Sequence, residues 1–273
     1  MWKGMENMEK ENGKKTIQIE GSTVIRDSFD VSNYQIKKSV KMGEENVKAI
    51  LNFEKATDSQ LEYFMENDDH FELTNIQLQL ASGFDNSAKT IISNRNGDLV
   101  VTGCSFHSEA GVNNGFDCVF VDVIGGSVEV NDLSMESCNV GNSIFAIYDV
   151  GISCQLKNVR VESLNESRGC LLLIKGTELT TKINEVSEEM SLNIDNSSFS
   201  GVKRSDNGAS ILDSKSENKI CFVVNESNIT EDKAETSEKG GAIFFTLCES
   251  GSMESSMSFL LMKKAIQPTN CAA

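Results

Sequence analysis

One alternating pattern recurs along this chain. An apolar residue is followed two positions later by another, then by a short polar break, and a third apolar residue lies seven after the first. The pattern reads FELTNIQL from Phe71 to Leu78, LVVTGCSF from Leu99 to Phe106 and VEVNDLSM from Val128 to Met135. It reads CQLKNVRV from Cys154 to Val161, LNIDNSSF from Leu192 to Phe199 and FVVNESNI from Phe222 to Ile229, with MESSMSFL at Met253 to Leu260 as a degraded seventh copy. The copies start 28, 29, 26, 38, 30 and 31 residues apart. A second element keeps the same interval, a glycine followed by an apolar run: Gly115 with CVFVDV, Gly141 with IFAIYDV, Gly169 with CLLLIK, Gly208 with ASIL and Gly241 with AIFF.

Period-two alternation is the strand signature. The middle of each motif carries Asn75, Gly103, Asn131, Asn158, Asn196 or Asn225. Asn and Gly tolerate the left-handed backbone that a sharp bend requires. Each motif therefore reads as two short strands meeting at a corner, and the glycine element supplies a third strand rich in Ile, Val, Phe and Leu. The polar stretches between them, such as SEAGVNNG and KAETSEKG, read as loops. Three short strands per repeat of about 30 residues, with no helical period, predict an all-β fold. The expected architecture is a single-stranded right-handed parallel β-helix, a pectin-lyase-like solenoid of about eight coils. The hand follows from the crossover preference of parallel strands. Stacked at about 4.8 Å per coil, it would form a rod roughly 40 Å long.

The ends are less regular. Residues 1–15 are polar and charged and read as a mobile tail, with the β-helix spanning 16–273. Thr16 to Ile25 and Val47 to Phe53 alternate well enough for strands of earlier coils, and Val47 to Phe53 fits a short capping helix as an alternative. The segment Gly176 to Met190 lengthens one repeat and reads as a protruding loop or irregular strand. Beyond Met253 to Ala265 no polar capping element follows, and stacked repeats need protected ends. The expectation is a truncated end, with further coils or a capping chain beyond Ala273.

Composition narrows the class. Lys and Arg number 25 against 41 Asp and Glu, a formal charge of -16. Such a surplus repels phosphate backbones and anionic membranes, which argues against a nucleic-acid partner. The longest apolar runs, such as Cys170 to Ile174, fall far short of the roughly 20 residues a membrane helix needs. Met1 to Lys15 has no apolar signal core, so the expectation is a cytosolic chain or a true start upstream. The eight cysteines, Cys104, Cys118, Cys138, Cys154, Cys170, Cys221, Cys248 and Cys271, form no C-x-x-C. With only His70 and His107 beside them, a zinc ribbon is not expected, and most cysteines read as small buried hydrophobes. Cys118 and Cys170 fall two coils apart on the glycine element, roughly 10 Å by strand spacing, too far for a disulfide.

The residues carry a family likeness. GGAIFF at Gly240 to Phe245, preceded by SNIT at Ser227 to Thr230, resembles the paired elements of polymorphic outer-membrane-protein (GGAI) repeats, and NGASIL at Asn207 to Leu212 looks like a weaker copy. SSFSG at Ser197 to Gly201, GCSFHS at Gly103 to Ser108 and GSVEVND at Gly126 to Asp132 are similar to the β-helix surface proteins of anaerobic protists. The resemblance implies an adhesin-like or coat function at the cell surface or outside the cell, with a cytoplasmic location as the alternative.

Chemistry on such a fold has few candidates here. The G-H-G and R-I-K elements of polygalacturonase-like enzymes are absent from the sequence. Arg160, between Val159 and Val161, is the best candidate for a lyase base, and reads more simply as an exposed charge. Asp68, Asp69 and His70 form the dense acid–histidine cluster, able to hold a cation or supply a base, but read more simply as a solvated turn before Phe71. The Gly240-Gly241 pair has no phosphate-loop lysine and reads as structural. Trp2 and the scarce Tyr offer no evident platform for sugars, and the Phe fall on inward positions. Asn165, Asn196, Asn225 and Asn228 lie in N-glycosylation motifs. The expected function is a non-enzymatic surface or interaction module for a protein or carbohydrate ligand. No catalytic, cofactor or metal residue is assigned. The alternative is a polysaccharide lyase or glycoside hydrolase on the same fold.

Overall fold

The computed structural model describes residues 8–11, 14–39, 49–56, 61–82, 84, 88–108, 119–136, 139–140, 143–148, 153–162, 165–166, 172–175, 190–200, 203–204, 212–215, 220–225, 227–230, 233–234, 243–245 and 259–260. Every regular element among them is a strand. The chain opens with β1 (Met8–Glu11), β2 (Lys14–Ile19), β3 (Ser22–Ile25) and β4 (Phe29–Asp30). It continues through β5 (Tyr34–Lys38), β6 (Ile50–Phe53), β7 (Leu61–Asn67), β8 (His70–Thr74), β9 (Gln77–Leu80) and β10 (Ala88–Arg95). Then come β11 (Asp98–Thr102), β12 (Ser105–Ser108), β13 (Val119–Ile124), β14 (Ser127–Asn131), β15 (Ser134–Glu136), β16 (Asn139–Val140) and β17 (Phe145–Tyr148). β18 (Ser153–Lys157), β19 (Arg160–Glu162), β20 (Asn165–Glu166), β21 (Leu172–Lys175), β22 (Met190–Asp195), β23 (Ser198–Ser200) and β24 (Lys203–Arg204) follow. The last are β25 (Leu212–Lys215), β26 (Ile220–Asn225), β27 (Asn228–Thr230), β28 (Lys233–Ala234), β29 (Ile243–Phe245) and β30 (Phe259–Leu260).

Apart from β1 and β2, successive strands do not pair with each other. They pair with their equivalents one repeat away, which is the topology of a parallel β-solenoid. The first sheet runs β1-β2-β5-β8-β11-β14-β18-β22-β26-β30. The second runs β3-β6-β9-β12-β15-β19-β23-β27 and the third β4-β7-β10-β13-β17-β21-β25-β29. A small fourth sheet, β16-β20-β24-β28, runs through the later repeats among the described residues. The motif pairs expected from the sequence fall on the first and second sheets, and the glycine element supplies the third. Among the described residues the first sheet has ten strands, nine of them parallel, so the coil count differs from the eight expected.

The core is a set of inward columns. Ile36, Leu73, Val101, Val130, Leu156 and Ile194 stack in register in the first sheet, all buried. Leu51, Leu78, Phe106, Met135, Val161 and Phe199 do the same in the second. Each such side chain contributes about 1.5–3 kcal/mol by leaving water. Like stacks on like because every repeat places the same inward position at the same point of the turn.

Several expectations change in detail. Met8–Glu11, inside the segment read as a tail, forms β1 and pairs antiparallel with β2, Met8 opposite Ile17 through Glu11 opposite Lys14. The open edge of β2 offers a hydrogen-bond template that its polar composition did not advertise. Val47 to Phe53 resolves to a strand, β6, over its described part. The left-handed corner residues are Asn75, Gly103, Asp132, Asn158 and Asn196. Asn131 instead ends β14, and Asn225 pairs with Asp195 at the end of β26. A copy-by-copy alignment of the motif was one residue out at these two corners, since two adjacent polar residues look alike in sequence. Phe222 pairs with Phe259 rather than Met253, so the degraded copy is shifted by six positions. The expectations for Trp2, Cys118, Cys170, Gly240-Gly241 and residues 176–189 lie outside the described residues.

Candidate functional site

The outward columns of the three main sheets differ in character. In the second sheet Gln77, Ser105, Ser134, Arg160 and Ser198 stand in register. Arg160 is outward and exposed, as expected between buried Val159 and Val161. Its Nε donates to Glu162 Oε1 at 2.8 Å, and its Nη2 to the same oxygen at 2.5 Å. The hydrogen bond and charge of Glu162 raise its pKa further above the ordinary arginine value. An arginine held protonated in this way is a poor proton acceptor.

Asp68 and Asp69 are exposed at the corner between β7 and β8, and His70 begins β8. Asn33 Nδ2 donates to Asp69 Oδ2 at 2.7 Å, the Asp68 amide to Ser32 Oγ at 2.9 Å, and His70 Nε2 lies 2.8 Å from Glu72 Oε1. The cluster is a turn laced to the neighbouring repeat, as the simpler sequence reading expected. No group of three or more His, Cys, Asp or Glu close enough to hold a metal occurs among the described residues.

The third sheet concentrates charge and aromatic surface instead. Glu66, Ser93, Asp122 and Ala146 stand in one column, and Arg95, Ile124 and Tyr148 in another. Arg95 Nε lies 3.4 Å from Glu66 Oε1 and donates to Ser93 Oγ at 3.4 Å. The Arg95 guanidinium lies 5.6 Å from the centre of the Tyr63 ring, within cation–π range. The Tyr63 hydroxyl donates to the Glu66 carboxylate, and this bond, with burial, raises the phenol above its ordinary value. Burial and the nearby Asp122 charge raise Tyr148 likewise. Ser93 and Ala146 are nearly inaccessible, so part of this face is covered.

Beneath the cluster, two buried amides fix the corner that leads from the third sheet to the first. Asn67 Nδ2 donates to Asn94 Oδ1 at 2.5 Å, Asn94 Nδ2 to the Gly97 carbonyl at 2.8 Å, and the Asp69 amide to Asn67 Oδ1 at 3.2 Å. Both side chains are fully buried. They hold the ends of β7 and β10, and with them Glu66 and Arg95.

Two carboxylates, a guanidinium and two phenols thus share one face of four adjacent repeats, over the buried Ser93 hydroxyl that Arg95 bonds. The arrangement can bind polyhydroxylated or charged ligands through hydrogen bonds and ring faces. The sequence reading singled out Arg160 and Asp68 to His70 and missed Tyr63, Glu66, Arg95, Asp122 and Tyr148. The glycine-element alignment, extended one and two repeats upstream of Gly115, would have placed Glu66, Ser93 and Asp122 in one column. Of the glycosylation-motif residues, Asn196 is exposed at its corner and donates to Asn158 Oδ1 at 2.6 Å, while Asn165 and Asn228 lie in β20 and β27. No helix among the described residues is long and apolar enough to cross a membrane. No known protein family matches the chain in sequence, and neither does any curated protein.

Proposed function

We propose that the chain is a non-enzymatic interaction rod, adhesin-like or part of a coat at the cell surface, that presents its outward columns to a protein or carbohydrate ligand. The observation that carries this reading is the regular outer face of the second sheet. One column of polar side chains stands in register along it, and the residue weighed as a lyase base, Arg160, is tied to Glu162. The likeness of the repeats to GGAI-type and protist surface repeats supports the location. Binding of the purified chain to an array of glycans and to intact cells tests it. Binding to neither would overturn it.

One observation favours a second reading, a polysaccharide hydrolase or lyase. Glu66 and Asp122 sit two strands apart in one column, beside Arg95. That spacing is roughly 10 Å at the backbone, comparable with the carboxyl separation of inverting glycosidases. A screen for released reducing ends or unsaturated products decides it. Activity abolished by Glu66→Gln or Asp122→Asn would establish the enzyme reading; no turnover on acidic or neutral polysaccharides would end it.

A further inference from the structure

A solenoid leaves one open edge per sheet at its first turn, each with unpaired backbone donors and acceptors. Here those edges belong to β2, β3 and β4. The β2 edge is taken by β1, the one antiparallel strand among the described pairs. Among the described residues β3 and β4 pair on one side only, with β6 and β7. The carbonyls of Gly21 and Ile25 accept from the amides of Ile50 and Glu54. Alternation then turns Thr23 toward β6 and turns Ser22 and Val24 toward the open edge. Val24, 45% exposed, is the one exposed large apolar side chain among the described residues. β3 reads STVI, with no charge or proline to blunt its edge.

We infer that this end of the rod is a latent docking surface for a second copy of the chain, and that β1 holds it closed. A two-fold axis perpendicular to the second sheet, at Thr23, sets β3 antiparallel to its counterpart. Ser22 then faces Val24 of the partner subunit, and both residues point their backbone groups at the shared edge, as a hydrogen-bonded pair requires. The same register sets exposed Glu20 opposite Arg26 of the partner subunit, whose guanidinium, bonded to Glu54 of its own chain, has donors left for a second carboxylate. The chain visits the three sheets in a fixed order, and the axis reverses that order. β2 therefore meets the other copy's β4, and β4 the other copy's β2. The slot beside β2 is the one β1 occupies. Two rigid rods cannot join two edges while the third is filled, so one strand blocks all three pairings. A two-fold contact is closed, so association stops at the dimer.

Sedimentation equilibrium on the full chain tests this, comparing it with Glu9→Pro/Lys10→Pro. Lys15 donates to the Asn33 carbonyl on the β5 side, so Thr16 turns its backbone groups to Glu9 of β1, and proline at Glu9 removes that ladder donor. The unmodified chain is expected at the monomer mass. The proline variant is expected at twice that mass, with its β circular dichroism retained. Adding Val24→Lys should return it to the monomer, and adding Glu20→Arg should weaken the dimer by about tenfold or more. A folded proline variant that stays monomeric overturns the inference. So do an unmodified chain that is already dimeric and higher multimers indifferent to Val24→Lys. Glu9→Pro alone, a milder disruption, carries the same readings if the double variant loses its β signal.

Discussion

At the fully described corners between the first and second sheets a single residue enters the left-handed region. Asn75 has φ 55°, Asp132 56°, Asn158 53° and Asn196 45°, and Gly103 takes the same position at 63°. The Asn and Asp side chains bond along the column: Asn158 Nδ2 donates to Asp132 Oδ1 at 2.9 Å. A Cβ on Gly103 would lie 2.3 Å from Asn75 Oδ1. Gly103→Ala should therefore cost roughly 1–2 kcal/mol from the left-handed backbone and more from the contact. Gly103→Asn should cost less, because its amide can join the column, and thermal denaturation of the two variants checks the order. Buried thiols behave differently from corner amides. Burial pushes Cys154 up from its ordinary 9.0 to about 12 and Cys104 to about 11. The folded state binds these protons more tightly than the unfolded. Their contribution to stability is thus fully present below about pH 9 and is lost as pH rises toward the folded values of about 11 and 12. Neither thiol should react with iodoacetamide in the folded chain at pH 8, and both should react in denaturant, as mass mapping would record. Their burial was legible from the alternating pattern, whereas the choice of Asp132 over Asn131 was not, because it depends on where the neighbouring strand ends.

At the level of the strand, inward and outward positions carry very different energies. Leu73 in β8 is buried between Ile36 and Val101. Leu73→Ala should cost about 2–5 kcal/mol, since a rigid column relaxes little around a void. Glu72→Gln, facing outward on the same strand, should change stability far less, and urea denaturation separates the two. The Asn67–Asn94 pair is a polar exception to the inward rule. Asn94→Val should cost about 1–3 kcal/mol by stranding the Asn67 amide. The double change Asn67→Val/Asn94→Val should recover part of that loss, because the next two residues of the column are Val123 and Ile147. A double-mutant cycle measures the recovery. The pair was not legible beforehand: both asparagines sit in segments that alternate poorly, and only register reveals that they meet.

For the whole molecule, each repeat touches only its neighbours, so stability is close to a sum of repeat and interface terms. Hydrogen exchange should be slowest in strands that have partners on both sides deep in the stack, such as β11 and β14. It should be faster in β1 and β3 at the first edge. Uniform protection along the rod would contradict this neighbour-by-neighbour account. The net charge of -16 acts at this scale too. It opposes close approach of two copies, so any dimer opened by disrupting β1 should tighten as salt screens the repulsion.

The fold was determined by the sequence alone because a solenoid repeats its own signature. The same alternation, corner and apolar run recur until chance is no longer an explanation, and stacking like positions is the one way to bury them all. The outward chemistry was decided only by tertiary structure. Glu66, Arg95 and Asp122 are 29 and 27 residues apart along the chain. They become neighbours only when the register of each turn is set, and that register depends on corner residues, loop lengths and buried amides acting together. The capping of β2 by β1 is of the same kind. Nothing in the composition of Met8–Glu11 favours a strand, and the open edge it covers exists only once the first turn has formed.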